Sequence, residues 1–189
     1  MKLVKTSLPG VLIVEPQAFA DDRGWFMESF NQPRWEAAFR ELDEPVPQPF
    51  VQDNHSCSKA AVLRGLHYQL PPRAQGKLVR VVQGAAWDVA LDIRRGSPTF
   101  GRWFGAELSA ANRQQMWIPP GFAHAFIALV DDTHFLYKTT DLYAKDCERA
   151  IRWDDPALAI PWPLPTGMSA PLVAPKDAAA PLLAAADLP

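Results

Sequence analysis

The sequence predicts an all-β protein of the barrel or sandwich kind, and three observations carry that prediction. Ten short segments rich in β-branched and aromatic residues recur along the 189 residues, a rhythm typical of closed or two-layered antiparallel sheets. Between them fall 19 Pro and 10 Gly, mostly in turn-like clusters with Asn and Asp. The stretch from Trp87 to Ile93 alternates cleanly. Trp87, Val89, Leu91 and Ile93 point one way, and Asp88, Ala90 and Asp92 point the other.

Taken in order, the expected strands are VLIVE (11–15), WFMESF (25–30), PFVQDNHS (49–56), AVLRGLHYQ (61–69) and KLVRVVQ (77–83). They continue with AAWDVALDIR (85–94), RWFGAEL (102–108), QMWIP (115–119), HAFIALV (124–130) and THFLYKTT (133–140). Gln83–Gly84 marks a hairpin between the fifth and sixth. One helix is expected over 33–42, where Pro33 suits a first helical turn and Trp35, Phe39 and Leu42 recur at helical spacing. A second short helix is expected at 109–113 with Ser109 as its N-cap. The EPVPQPF run (44–50) is a connector, because the strand pattern resumes at once. The closing AAAPLLAAADLP suits either a short helix or a frayed tail. The whole is read as one domain over 1–189, with 184–189 as the part most prone to fray.

Composition excludes several classes of function. The net charge of −2 and the lack of any Lys/Arg run argue against nucleic acid as the partner. A small anion held by a few cations stays open. No apolar run approaches the ~20 residues of a membrane span, and the N-terminal MKLVKTSLPGVLIVEP, broken by Pro9–Gly10, reads as strand and not as a signal peptide. Cys57 and Cys147 are the only cysteines and lie in no metal or redox spacing, so free thiols in a reducing cytoplasm are expected.

Four constellations could carry chemistry. The first is VLRGLHYQLPPRAQGKLVRVVQG (62–84), which sets His67 in one strand and Lys77 at the head of the next. A lone strand histidine is more often a satisfied barrel residue, and a lysine at a strand end is usually solvated. Together, the two can take a proton and steady the negative charge left behind. By strict alternation His67 shares a face with Gly65 and Gln69, and Arg64 falls on the other. Arg64 reaches the same ligand only if the strand bulges at Gly65. The second is PPGFAHAF (119–126), whose P-x-G-x-x-H pattern resembles the second motif of cupin barrels. The matching first motif reads His67-Tyr68-Gln69, with one histidine and no glutamate behind it, so no metal site is expected. His124 is then free to donate a hydrogen bond to a substrate. The third is HFLYKTTDLY (134–143), with Tyr137 and Tyr143 on one strand-like segment. Either both are core aromatics, the commoner case, or one is a proton donor opposite a basic histidine. The fourth joins Arg23, Phe26 and Glu28 of DDRGWFMESF with the amide pair Gln52 and Asn54 of FVQDNHS.

Taken together, DDRGWFMESF, FVQDNHSCSKAAVLRGLHYQ, QGKLVRVVQG, SPTFGRWFG, WIPPGFAHAF, FLYKTTDLY and the APKDAAAPLL tail resemble the dTDP-4-dehydrorhamnose 3,5-epimerase family in that order, from about Val11 to Leu183. The resemblance implies a cupin-type jelly-roll barrel with a few short helices. It implies a homodimer with exchanged N-terminal strands, a dTDP-4-keto-6-deoxy sugar substrate and no metal or organic cofactor. It implies His67 as base, Asp177 as the group orienting it, Tyr137 as the acid on the opposite face and Lys77 beside the keto oxygen. Binding roles fall to Arg23, Phe26, Glu28, Gln52 and Asn54, and further to Arg64, His124, Glu148 and Lys176, with Tyr143 stacking on the thymine. Leu142 departs from the pattern, standing where many relatives carry a second tyrosine or another polar residue. The open alternatives are a 3-epimerase or keto-isomerase of another deoxysugar, a metal-dependent oxygenase, and a non-catalytic sugar binder.

Overall fold

A computed structural model describes residues 1–189. Two antiparallel sheets face one another. The first runs in the order β1 (Lys2–Lys5), β2 (Leu12–Glu15), β10 (Gln115–Ile118), β7 (Lys77–Gln83), β12 (Thr133–Thr139), β5 (Gln52–Ser58). The second runs β13 (Glu148–Ala150), β6 (Val62–Gln69), β11 (Phe122–Ala128), β8 (Ala85–Asp92), β9 (Trp103–Ser109). The short β14 (Leu172–Val173) lies parallel to β6. This is the expected jelly-roll architecture.

The central strands are covered on both faces, which is why β11 is buried along its whole length, while β5 at the edge of the first sheet exposes alternate residues. Between the sheets, Val79, Val81, Met116, Ile118, Phe126 and Phe135 form the inner core. Outside the first sheet, helix α1 (Gln32–Glu41) lays Trp35 and Phe39 on Leu12, Leu78 and Trp117. Outside the second sheet, Val89, Leu91 and Ile93 meet Ile151, Leu158 and Ala186 of the C-terminal segment. The alternation read from Trp87–Ile93 thus separates an inner face from an outer one, and both faces are buried.

Helix α1 begins where its chemistry says it should. Asn31 caps it by accepting from the Arg34 amide at 3.1 Å, and Pro33 occupies the first turn. Removing Trp35 or Phe39 from this layer should cost about 3–5 kcal/mol, as for other fully buried aromatics.

Two expectations need correction. No helix forms at 109–113. Ser109 ends β9, and Ser109 and Asn112 close a tight turn by exchanging side-chain-to-amide bonds of 3.0 and 3.1 Å. At Arg113 the backbone turns left-handed (φ 57°), so the chain reverses into β10 instead of winding on. Tyr143 is not on the strand that carries Tyr137: β12 ends at Thr139, and Asp141, held by Arg73 at 2.7 Å, bends the chain away. Of the two readings offered for the tail, the short helix forms, as a single 3-10 turn over Leu183–Ala185, and the residues after it are held. The Tyr68 hydroxyl donates to the Asp187 carbonyl at 2.6 Å, Arg149 pairs with the Asp187 carboxylate, and Ala186 is buried.

One element stands apart. Strands β3 (Ala18–Asp21) and β4 (Gly24–Met27) form a two-stranded ribbon that pairs with neither sheet. Phe19, Trp25 and Phe26 are more than half exposed on it.

Candidate active site

Alternation along the strands aims a polar cluster into one end of the barrel. On β7, Lys77 shares a face with Val79 and Val81, so the lysine that opens the strand enters the interior and is only 8% exposed. On β11, His124 lies between Phe122 and Phe126, both of the inner core. On β12, Tyr137 follows Phe135 on the inward face, and on β5 Gln52 and Asn54 do the same.

Strand β6 needs a special device. Across β11, His67 pairs with His124 and Arg64 pairs with Phe126, so two residues of β6 oppose one of β11. That extra residue is a bulge at Gly65–Leu66. Gly65 has φ +123°, and a Cβ there would lie 2.4 Å from the Ala125 Cβ and 2.5 Å from the His124 carbonyl oxygen. Only glycine fits. The bulge cancels the odd spacing, and Arg64 and His67 line the same cavity of about 390 Å³.

His67 Nε2 lies 2.7 Å from Asp177 Oδ1, while the other Asp177 oxygen accepts from the Gly65 amide at 3.3 Å. Asp177 sits in a short helix, α2 (Pro175–Ala178), and is 2% exposed. Burial pushes its carboxyl up, but the bond and charge of His67, the Gly65 amide and Lys176 together hold it below the usual carboxylate range. A carboxylate can only accept, so the neutral His67 ring carries its proton on Nε2. Nδ1 is left with a free lone pair.

Lys77 Nζ donates to the His67 carbonyl at 3.3 Å. Burial pulls its pKa down to about 8, against the opposing charges of Asp88 and Glu148. Tyr137 enters from the opposite sheet, and burial pushes its hydroxyl above the ordinary value. It therefore stays protonated at neutral pH and can give a proton. A second lobe of about 270 Å³ joins the first along His67, Lys77, Tyr137 and Glu148, and it is flanked by Gln52, Gln69 and Tyr143. Gln52 donates to Asn54 at 2.9 Å and accepts from the Tyr143 amide at 3.0 Å. The Tyr143 hydroxyl donates to Glu148, which also pairs with Lys176.

The structure thus gathers His67, Lys77, Tyr137, Asp177, Gln52, Asn54, Arg64, His124, Tyr143, Glu148 and Lys176 around one bilobed cavity. It does not bring in Arg23, Phe26 and Glu28. Arg23 pairs with Asp21 at the ribbon tip, Phe26 is 70% exposed, and Glu28, just past the end of β4, is held by Asn31 and Arg34. His124 also differs from expectation. Its Nε2 already donates to Asp88 at 2.8 Å, so only Nδ1 remains for a ligand. No group of three or more His, Cys, Asp or Glu side chains stands close enough together to hold a metal ion.

Residues 5–185 match the family model for dTDP-4-dehydrorhamnose 3,5-epimerase. The chain belongs to the dTDP-4-dehydrorhamnose 3,5-epimerase family. It is 55% identical to the enzyme of that name from Pseudomonas aeruginosa over 177 residues, covering 94% of this chain and 93% of the relative. It is 54% identical to that of Shigella flexneri, with the same coverage. Among solved structures, the dTDP-6-deoxy-D-glucose-3,5-epimerase of Legionella pneumophila, in complex with dTDP-4-keto-L-rhamnose, superposes with a TM-score of 0.91 at 46% identity. That match covers 100% of this chain and 97% of the other.

Beyond the residues drawn from the family resemblance, the geometry adds Asp88, which the sequence had offered only as one polar position of an alternating strand. The available signal was an acidic residue on the inner face of a strand buried on both sides, where a carboxylate needs a partner. Gln69 is a second addition. Its side chain bonds the Arg73 and Leu142 carbonyls and the Ala144 amide, and so fixes the loop that carries Tyr143.

Proposed function

We propose that this protein is an isomerase that epimerises C3 and C5 of dTDP-4-dehydro-6-deoxy-D-glucose, giving dTDP-4-dehydro-L-rhamnose for dTDP-rhamnose biosynthesis. The observation that carries the reading is the placement of His67 and Tyr137. They reach one cavity from opposite sheets, with Lys77 between the two lobes they share.

The chemistry follows from that placement. Hydrogens at C3 and C5 flank the C4 ketone, and removing either leaves an enolate with charge on the C4 oxygen. His67 Nδ1 takes the proton, and Asp177 steadies the imidazolium that forms. Lys77 supplies a fixed positive charge where the oxyanion develops. Tyr137 returns a proton from the other face, which inverts the centre, and solvent restores its hydroxyl. Arg64 and Lys176 at the rim suit the diphosphate. Tyr143, whose hydroxyl donates to Glu148, suits the base.

In the single chain Arg23, Phe26 and Glu28 do not line that cavity. The β3–β4 ribbon carries an exposed aromatic face and pairs with neither sheet. Such a ribbon gains stability by docking on another subunit. A homodimer in which each ribbon completes the partner's site accounts for both facts. A pathway enzyme for a nucleotide sugar, with two free thiols, fits the cytoplasm.

The test is product analysis by NMR with purified protein and no added metal. Inversion at both C3 and C5 is expected. Inversion at C3 alone would make the protein a 3-epimerase, and binding without turnover would make it a sugar-nucleotide binder.

A further inference from the structure

We infer that Asp88 is a positioning residue of this site: it holds His124 in the tautomer whose Nδ1 accepts a hydrogen bond, and it is the countercharge that keeps Lys77 an ammonium inside the barrel. The inference rests on the epimerase reading given above for what these two groups do, but not for how they are held.

Asp88 lies in the middle of β8 on its inner face, is fully buried and pairs across the sheet with Phe126. One carboxylate oxygen accepts from His124 Nε2 at 2.8 Å. Because that nitrogen must carry the hydrogen, the neutral ring presents a bare Nδ1 to the cavity. Burial holds His124 below its ordinary pKa, and the charges of Lys77 and His67 add to that effect against the pull of Asp88. A neutral His124 of this tautomer recognises a hydroxyl that donates, such as one on the sugar ring, and cannot donate to a carbonyl.

The other oxygen, Asp88 Oδ1, is buried with no hydrogen-bond partner. A buried carboxylate left half-satisfied is costly unless a cation stands near it. The cation buried at this end of the barrel is Lys77, which forms no close ion pair with Asp88 and feels it through charge alone. Its own hydrogen bond, to the His67 carbonyl, is long at 3.3 Å, so it too lacks a close anionic partner. The groups facing Lys77 from the surrounding strands are His67 on β6, Asp88 on β8, His124 on β11, Tyr137 on β12 and Glu148 on β13. The neighbouring faces of β9 and β10 offer only Phe104, Ala106, Leu108, Met116 and Ile118. Of the acidic groups, Glu148 is partly exposed and already shared between Tyr143 and Lys176. Asp177 is committed to His67. Asp88 alone is both buried and uncommitted at one oxygen.

The experiment is a titration of the whole protein labelled with ¹⁵N at histidine and lysine side chains, read by NMR without substrate. The Lys77 signal is assigned from its loss in Lys77→Arg. In the wild type near neutral pH, His124 is expected to show a protonated Nε2 and a bare Nδ1. In Asp88→Asn, the Lys77 midpoint is expected to fall by about one pH unit or more, and the alkaline limb of kcat/KM moves down with it. In His124→Gln, the Lys77 midpoint stays in place. A protonated Nδ1 in the wild type, or a Lys77 midpoint unmoved by Asp88→Asn, overturns the inference. The wild-type tautomer decides the matter if Asp88→Asn fails to fold. Expected NMR shifts without turnover would instead sink the epimerase reading alone.

Discussion

His67 and Lys77 divide the work of the site because their surroundings differ. His67 has a buried carboxylate on Nε2, so its other nitrogen is a base of fixed orientation. Asp177→Asn removes the group that selects this tautomer, and turnover should fall by about 10²–10⁴-fold. The same carboxylate should mark stability. Its folded pKa is depressed, so its contribution is present above the ordinary carboxylate range and is lost as pH falls through the folded value. The gap in melting temperature between wild type and Asp177→Asn should therefore close as pH drops below about 4. A constant gap would mean that Asp177 matters only for packing. Lys77 behaves in the opposite sense. With its pKa pulled down to about 8, it should lose its charge on mild alkalinisation, and kcat/KM should decline above that pH. Lys77→Met should cost about 10²-fold or more and abolish that limb. A limb that survives the substitution belongs to another group.

At the scale of elements, the decisive feature is the bulge in β6. The odd spacing of Arg64 and His67, with Gly65 between them, made a bulge the condition for both to face one ligand, and the register shift supplies it. What the residues alone could not give is its tightness against Ala125. Gly65→Ala should destabilise the fold by about 3 kcal/mol and cut activity sharply, because Arg64 and His67 could no longer face one cavity. Wild-type activity in a fully folded Gly65→Ala protein would show that the register tolerates a Cβ. Strand positions were readable wherever alternation or β-branched runs were strong, as in β7, β8 and β12. The helix expected at 109–113 failed because Ser109 and Asn112 satisfy each other's amides and so close a turn where a cap was expected. Tyr143 left its strand because Arg73, distant in sequence, holds Asp141. Asp88 was hidden for a related reason: alternation shows which way a side chain points, but not which strand lies opposite.

For the whole molecule, most of the site was readable from local motifs, but how its two ends reach the rest came only from the family resemblance. Asp177 was assigned to His67 only through the family resemblance, and the low-complexity tail after it, 178–189, seals the outer face of the second sheet through Ala186. The N-terminal ribbon looked like one strand among others, yet it pairs with neither sheet and touches its own chain through a contact such as Arg113 over Trp25. If two chains exchange ribbons, a protein carrying His67→Ala and a protein carrying Arg23→Ala with Phe26→Ala should each be poorly active. After unfolding and refolding together they should recover substantial activity, because one site of each mixed dimer is then intact. Recovery no better than the sum of the separate proteins would place the ribbon's residues at their own chain's site, or at none. The central claim is that His67 removes the proton that makes this reaction possible. It is tested most directly by incubating the dTDP-4-keto-6-deoxy sugar in deuterated water and following label at C3 and C5 by NMR. The wild type should incorporate deuterium at both positions and His67→Ala at neither. Undiminished exchange in His67→Ala would contradict the account.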